Sequence, residues 1–151
     1  MRISAKADYA VRAAVELAGA GEGPVKGEAI ARAQSIPLKF LENILGDLRQ
    51  AGIVRSQRGA EGGYWLNRPA DEVTVADIIR AVEGPLASVR GNRPEDVHYQ
   101  GSAQALSQVW IAVRASLRSV VETVTLADLA AGRLPAKISR LAEDPEAWVT
   151  R

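Results

Sequence analysis

The chain contains no cysteine, one histidine and one phenylalanine, and each scarcity removes a class of function. Without thiols there is no disulfide, no thiolate-ligated zinc and no iron–sulfur cluster held by cysteine. A lone histidine, His98, leaves no His pair for a metal, and its neighbours Glu95 and Asp96 are too few and too closely spaced to replace thiolates. No glycine-rich phosphate loop follows a strand, and no Ser/His/Asp set is favoured by its spacing, so no enzyme is expected and neither cofactor nor metal is assigned. No apolar run approaches the roughly 20 residues that cross a bilayer, and the opening MRISAKADYA lacks the apolar core of a secretion signal. The expectation is a cytoplasmic protein without a membrane partner.

What is present fits one ordinary core. The chain has 151 residues, 47% hydrophobic and 25% charged, with a formal net charge of +1. The charge is uneven. Through Arg68 there are ten Lys/Arg against seven Asp/Glu, and beyond it nine against eleven. The basic lean of the first half is small, so position has to decide what it means.

Ser4 can cap a first helix whose Tyr9, Ala10, Ala13, Ala14, Leu17 and Ala18 recur at helical spacing until the glycine-rich stretch from Gly19 to Pro24. Gly27 to Gln34 reads as a short second helix. Ser35-Ile36-Pro37 makes a break, with Pro37 suited to the first turn of a third helix that runs from about Leu38 to Ala51 and ends at Gly52. On that helix Leu38, Leu41, Ile44, Leu45 and Leu48 share one arc. Lys39, Asn43, Gly46 and Gln50 lie opposite, with Glu42 beside them.

Two short β-favouring runs follow, Ile53 to Ser56 and Gly63 to Leu66, separated by Gln57 to Gly62. Helix, turn, helix and then a two-stranded ribbon is the winged helix-turn-helix order, in which the third helix enters the major groove and the ribbon tip reaches a minor groove. Arg58 sits at that tip, and narrow A·T-rich minor grooves favour an inserted guanidinium. Gly59, Gly62 and Gly63 allow the ribbon to fold tightly enough to enter. On the third helix Lys39 can donate to guanine, Asn43 can pair with adenine and Glu42 can accept from cytosine.

After Pro69, Thr74 and Asp77 form a capping box for a helix that carries Val75, Ile78, Ile79 and Val82 inward and ends at Gly84-Pro85. Leu86 to about Gly101 is polar and poorly periodic. From Ala103 a longer helix is expected, with Leu106, Val109, Trp110, Val113, Leu117, Val120 and Val121 in one stripe and Ile111 off it. Thr125 caps a last short helix closed by Gly132, and the tail from Arg133 reads as irregular. A long apolar helix in so short a chain suggests burial against a second copy, although a stripe of this kind is also the ordinary signature of a monomer core. The fold class is therefore mainly α with a two-stranded β wing, a winged helix-turn-helix domain plus a long dimerisation helix.

MRISAKADYAVRAAVELA, LKFLENILGDLRQAGIVRSQRGAEGGYWLNRPADEVTVADIIRAVEGP and VWIAVRASL with TLADLA resemble the Rrf2 family of bacterial transcription regulators over residues 1 to about 131. RGAEGGYWL and ADIIRAVEGP are the most specific segments. The resemblance implies a homodimeric repressor or activator that reads double-stranded DNA through Lys39, Phe40, Glu42, Asn43 and the wing residue Arg58 with Gly59. Lys6 and Tyr9 match the family's N-terminal pattern, whereas Asp8 stands where a basic residue is common. It divides the chain into a DNA-binding domain (1–85), an effector or sensor loop (86–102), a dimerisation helix region (103–132) and a tail (133–151). Iron–sulfur members carry three cysteines in that loop. Their absence makes the cysteine-free subgroup concerned with cysteine and sulfur metabolism the nearest look-alike, which implies repression with a small-molecule effector or a partner enzyme as signal. A winged-helix module that binds only protein is the alternative, and it gives no reason for Arg58 on the wing tip or Lys39 on the exposed helix face.

Overall fold

The computed structural model describes residues 1–151. Seven helices and one antiparallel ribbon follow in the order α1 (Ala5–Gly19), α2 (Gly27–Gln34), α3 (Leu38–Gln50), β1 (Val54–Gln57), β2 (Gly63–Leu66), α4 (Val75–Glu83), α5 (Leu106–Val121), α6 (Leu126–Ala131) and α7 (Ala136–Glu143). The molecule is mostly helical with a two-stranded sheet, as the patterning predicts.

Local signals set most boundaries. Ser4 caps α1 by accepting from the Ala7 N–H at 3.0 Å. α2 ends with Ser35 in the left-handed region (φ 52°), and Pro37 stands at the N-cap of α3 rather than inside its first turn. At the other end of α3 the Gly52 N–H donates to the Arg49 carbonyl and the Ile53 N–H to the Leu48 carbonyl, both at 3.0 Å. This is a Schellman closure on a residue with φ +77°, and it turns the chain directly into the ribbon.

β1 and β2 pair in the register Val54 with Leu66 through Gln57 with Gly63. The ribbon is not free-standing. Val25 and Tyr64 exchange two backbone hydrogen bonds of 2.8 Å, so a single-residue bridge ties the segment before α2 to β2. Gly63 allows this approach: at φ +150°, an added Cβ would lie 2.6 Å from the Val25 carbonyl oxygen.

The core gathers Ala10, Ala13, Ala14 and Leu17 of α1 with Leu41, Ile44, Leu45 and Leu48 of α3, and with Ile30, Val54 and Ile78. Leu38, expected in the inward arc of α3, is instead 37% exposed and lies beside Gly27 at the start of α2, outside the buried cluster. On α4, Ile78 and Val82 are buried while Val75 and Ile79 are half-buried, and the small Ala76 fills a fully buried position that periodicity in large side chains does not reveal.

The capping boxes of α4 and α6 are twins. Thr74 and Asp77, like Thr125 and Asp128, each exchange two hydrogen bonds of 3.0–3.2 Å. The two helix starts are joined by Val75 N–H to Val124 carbonyl (3.0 Å) and Leu126 N–H to Val73 carbonyl (2.9 Å). Leu126 is fully buried in the same cluster as α1 and α3, so the core continues past Gly84.

Residues 86–105 lack regular structure apart from short 3-10 turns at Pro94–Asp96 and Gly101–Ala103. The loop is pinned to α5 by Trp110, whose indole N–H donates to the Tyr99 hydroxyl at 3.0 Å, and by the 2.6 Å Arg114–Glu95 ion pair. The tail corrects the sequence reading. Instead of being irregular it forms α7 and a 3-10 turn at Pro145–Trp148. Pro135 stands at its N-cap and Ile138 and Leu141 recur at helical spacing, but eight residues are too few for that pattern to stand out in sequence. No helix is long and apolar enough to cross a membrane.

Candidate nucleic-acid interface

α3 presents Lys39, Phe40, Glu42 and Asn43 outward, all exposed, while the opposite face of the same helix supplies four fully buried leucine and isoleucine side chains. The amphipathic split fixes which residues can meet a partner. Lys39, Glu42 and Asn43 make no side-chain hydrogen bond or ion pair within the chain, and neither does Arg58 at the tip of the ribbon. Their donors and acceptors are therefore available to base edges and phosphates without a competing internal partner.

Gly59 follows Arg58 with φ +99°, and its carbonyl accepts from the Lys26 ammonium at 2.8 Å. Lys26 precedes α2 and was not among the sequence candidates. Its contact spans 33 positions, a separation that no local pattern encodes. Arg49 of α3 reaches the Ser56 hydroxyl at 3.3 Å. The ribbon is thus held at its tip by Lys26, the N-cap of α2, and within β1 by α3, and Gly62 closes the turn so tightly that an added Cβ would lie 2.0 Å from the Gln57 carbonyl oxygen.

The two candidates on α1 sit differently. Lys6 forms a 2.9 Å ion pair with Asp47, so its charge is balanced by α3. Tyr9 is half-buried and packs edge-to-face on Phe40, with ring centroids 5.6 Å apart at 84°. Arg12 lies 4.8 Å from the centroid of Tyr9 and pairs with Asp8 at 2.9 Å. Asp8 therefore serves an intramolecular pair in place of a phosphate contact. The structure brings Lys39, Phe40, Glu42, Asn43 and Tyr9 to one surface, with Arg58 and Gly59 on the neighbouring ribbon.

The outer face of the ribbon carries Arg55 4.5 Å over the Trp65 ring, walling a cleft of about 580 Å³ with Arg68 and the loop Gly21–Pro24. In the 86–105 loop the Glu95 carboxylate is held below the usual glutamate range, first by a backbone hydrogen bond at Glu95 itself and then by the Arg114 guanidinium. His98 is exposed, and no three His, Cys, Asp or Glu side chains gather where a metal could sit.

Comparison with known proteins places this geometry. Residues 3–132 match the Rrf2 family model, described as an iron-dependent transcriptional regulator. Rv1287 of Mycobacterium tuberculosis (strain H37Rv), provisionally named an HTH-type transcriptional regulator, is 54% identical over 145 residues, covering 95% of this chain and 90% of that protein. The HTH-type transcriptional regulator CymR of Bacillus subtilis is 38% identical over 131 residues, covering 86% of this chain and 90% of its own. The solved structure of CymR, described as the global cysteine regulator of B. subtilis, superposes with a TM-score of 0.74 at 37% identity over 87% of this chain and 98% of that one. IscR of T. potens gives 0.69 at 34% identity, covering 100% and 93%.

Proposed function

The chain belongs to the Rrf2 family and is a DNA-binding transcriptional regulator, and from that premise we propose that it acts as a homodimeric repressor that needs no iron–sulfur cluster. The observation that carries the reading is the set of unpaired polar side chains on one exposed face of α3, next to an arginine-tipped ribbon braced by Lys26 and Arg49. Affinity comes from phosphate neutralisation and sequence choice from base contacts. Lys39 donates to guanine, Glu42 accepts from cytosine, Asn43 pairs with adenine, and Arg58 enters an A·T-rich minor groove. Phe40 and Tyr9 shape the surface beside them, Gly59 sets the tip, and Lys6 reaches phosphate by exchanging its Asp47 partner for DNA.

The family description names iron, and the donor set of this chain does not fit it. There is no thiolate anywhere, and the one imidazole is on an exposed loop with no carboxylate cluster around it. Control then falls to another signal, a small-molecule effector or a partner enzyme acting through the loop at 86–102. The likeness to CymR, described as a global cysteine regulator, supports a role in cysteine or sulfur metabolism.

Support for the dimer comes from α5. Its Leu106, Trp110, Val113, Leu117, Val120 and Val121 are half-buried, and no residue of the helix is fully buried. Val109, expected in that stripe, lies at its edge and is 51% exposed. Ile111, Ala112, Ala115 and Ser116 continue an open, uncharged face from there, which suits close packing against a second copy.

Binding assays against a randomised duplex pool at moderate salt test the reading. Lys39→Ala is expected to relax base preference, and Arg58→Ala to weaken binding by about 1–3 kcal/mol, chiefly where the flanks are A·T-rich. Equal losses for Arg58→Ala on A·T-rich and G·C-rich flanks would remove the wing insertion, and a parent protein that shows no preference among duplexes would remove sequence-specific reading altogether.

A further inference from the structure

Arg12 was not a candidate from the sequence, yet it stands where three parts of the reading head meet. One terminal nitrogen donates to the Gln34 carbonyl at 2.6 Å, and the other pairs with Asp8 at 2.9 Å. The guanidinium carbon lies 4.8 Å from the centre of the Tyr9 ring, which in turn packs edge-to-face on Phe40. Gln34 is the last residue of α2, and the left-handed Ser35 after it ends the helix, so the Gln34 carbonyl has no intrahelical partner. A cation there suits both that orphan acceptor and the negative end of the helix dipole. The Gln34 side chain adds a second tie to α1, donating to Glu16 at 2.5 Å.

Phe40 is the third residue of α3, flanked by Lys39 and close to Glu42 and Asn43. A chain of contacts therefore leads from the end of α2 through Arg12 and Tyr9 to the first turn of the helix that reads bases. The contacts of Arg12 are internal: Asp8 balances its charge, Gln34 takes its hydrogen bond, and its buried Nε donates to nothing. The Tyr9 hydroxyl makes no hydrogen bond within the chain, so Tyr9 acts here through its ring alone.

We propose that Arg12 is the positioning residue of the reading head, setting base preference by fixing α2 and the first turn of α3 through Tyr9 and Phe40 without touching DNA. The proposal rests on the DNA-reading function above. It separates Arg12 from Lys6, proposed to reach phosphate, and from Lys39 and Arg58, proposed to enter the grooves, and it makes Asp8 a partner that holds the guanidinium plane over the ring.

The test compares full-length parent, Arg12→Met, Arg12→Lys and Asp8→Asn by the ratio of affinities for the best selected duplex and a shuffled one, and by salt dependence. Arg12→Met is expected to lower that ratio about tenfold, the scale of a lost base contact, with the salt slope unchanged. Asp8→Asn, an exposed and conservative change, is expected to lower the ratio less but in the same sense. Arg12→Lys keeps the charge without the planar fork and is expected to lower the ratio in the same sense as Arg12→Met. If Arg12→Met does not fold, Arg12→Lys and Asp8→Asn carry the comparison. A uniform loss on both duplexes with a shallower salt slope would make Arg12 a phosphate contact, and an unchanged ratio would remove its positioning role. A ratio fully kept by Arg12→Lys would make the charge alone sufficient, without the planar contacts to the Tyr9 ring and Gln34; each of these results overturns the proposal. A parent without preference would instead overturn the DNA reading on which it rests.

Discussion

At the scale of single residues, the surface proposed to meet DNA is written in a short-range code, while the bracing beneath it is not. Gly46 and Gly62 show the difference. Gly46 lies on the outward side of α3 with nothing within 4 Å of an added Cβ, whereas a Cβ on Gly62 would lie 2.0 Å from the Gln57 carbonyl oxygen. Gly46→Ala is therefore expected to raise the free energy of unfolding by about 1 kcal/mol, the helix-propensity difference between the two residues. Gly62→Ala is expected to lower it by roughly 1–3 kcal/mol and to weaken DNA binding by displacing the tip. Urea denaturation of both variants checks the contrast, and a stability loss in Gly46→Ala would mean that the helix face is not open. Lys39, Glu42, Asn43 and Arg58 were legible from the sequence because helical angle and turn composition place them outward. Leu38, Lys6 and Tyr9 were less so. Their surroundings are set by Gly27, Asp47 and Phe40, and a partner more than a turn or two away in sequence leaves no periodic trace.

Elements follow the same division. The boxes at Thr74 and Thr125 were readable because a hydroxyl and a carboxylate three residues apart satisfy each other's backbone N–H groups regardless of context. What could not be read is that the two helix starts pair with one another, which ties the segment after α5 back onto the head. Thr125→Ala is expected to destabilise the protein by about 1 kcal/mol through loss of the cap, measured as a drop in the unfolding midpoint at an unchanged denaturant slope. α7 escaped sequence reading for a related reason: its few apolar residues face outward or against its own 3-10 turn, so no core demands a longer stripe. The loop before α5 read as irregular and is irregular, but its attachment through Trp110 and Arg114 could only be seen in three dimensions. Glu95 gives that attachment a pH dependence. Its pKa is lowered in the folded protein, so its stabilising effect is present at neutral pH and disappears as pH falls through that lowered value. Parent and Glu95→Gln are expected to differ in thermal midpoint at neutral pH and to converge below the ordinary glutamate range. A difference that persists in strong acid would assign the effect to something other than the ionised Glu95 carboxylate, which is held first by its backbone hydrogen bond and then by Arg114.

For the molecule as a whole, the question is how one small reading head can gain enough affinity and selectivity. A single head neutralises few phosphates, and each neutralised phosphate steepens the dependence of log K on log salt by about 0.9. Two heads on one symmetric dimer double that number and require two half-sites at a fixed spacing, which raises selectivity with no new kind of contact. The proposed dimer face on α5, where Ile111, Ala112 and Ala115 are exposed, is the place to separate these contributions. Neither Lys39 nor Arg58 lies on that helix. Ala112→Arg puts a charge where two copies of the helix would meet, so it is expected to give a monomer in sedimentation velocity with helical content retained. Because the reading face itself is untouched, the monomer is expected to keep its preference for half-site bases while its salt slope falls to about half that of the parent. A variant that remains dimeric would move the interface away from this face. A monomer with an undiminished slope would mean that the parent engages DNA one head at a time, leaving operator spacing no role in recognition.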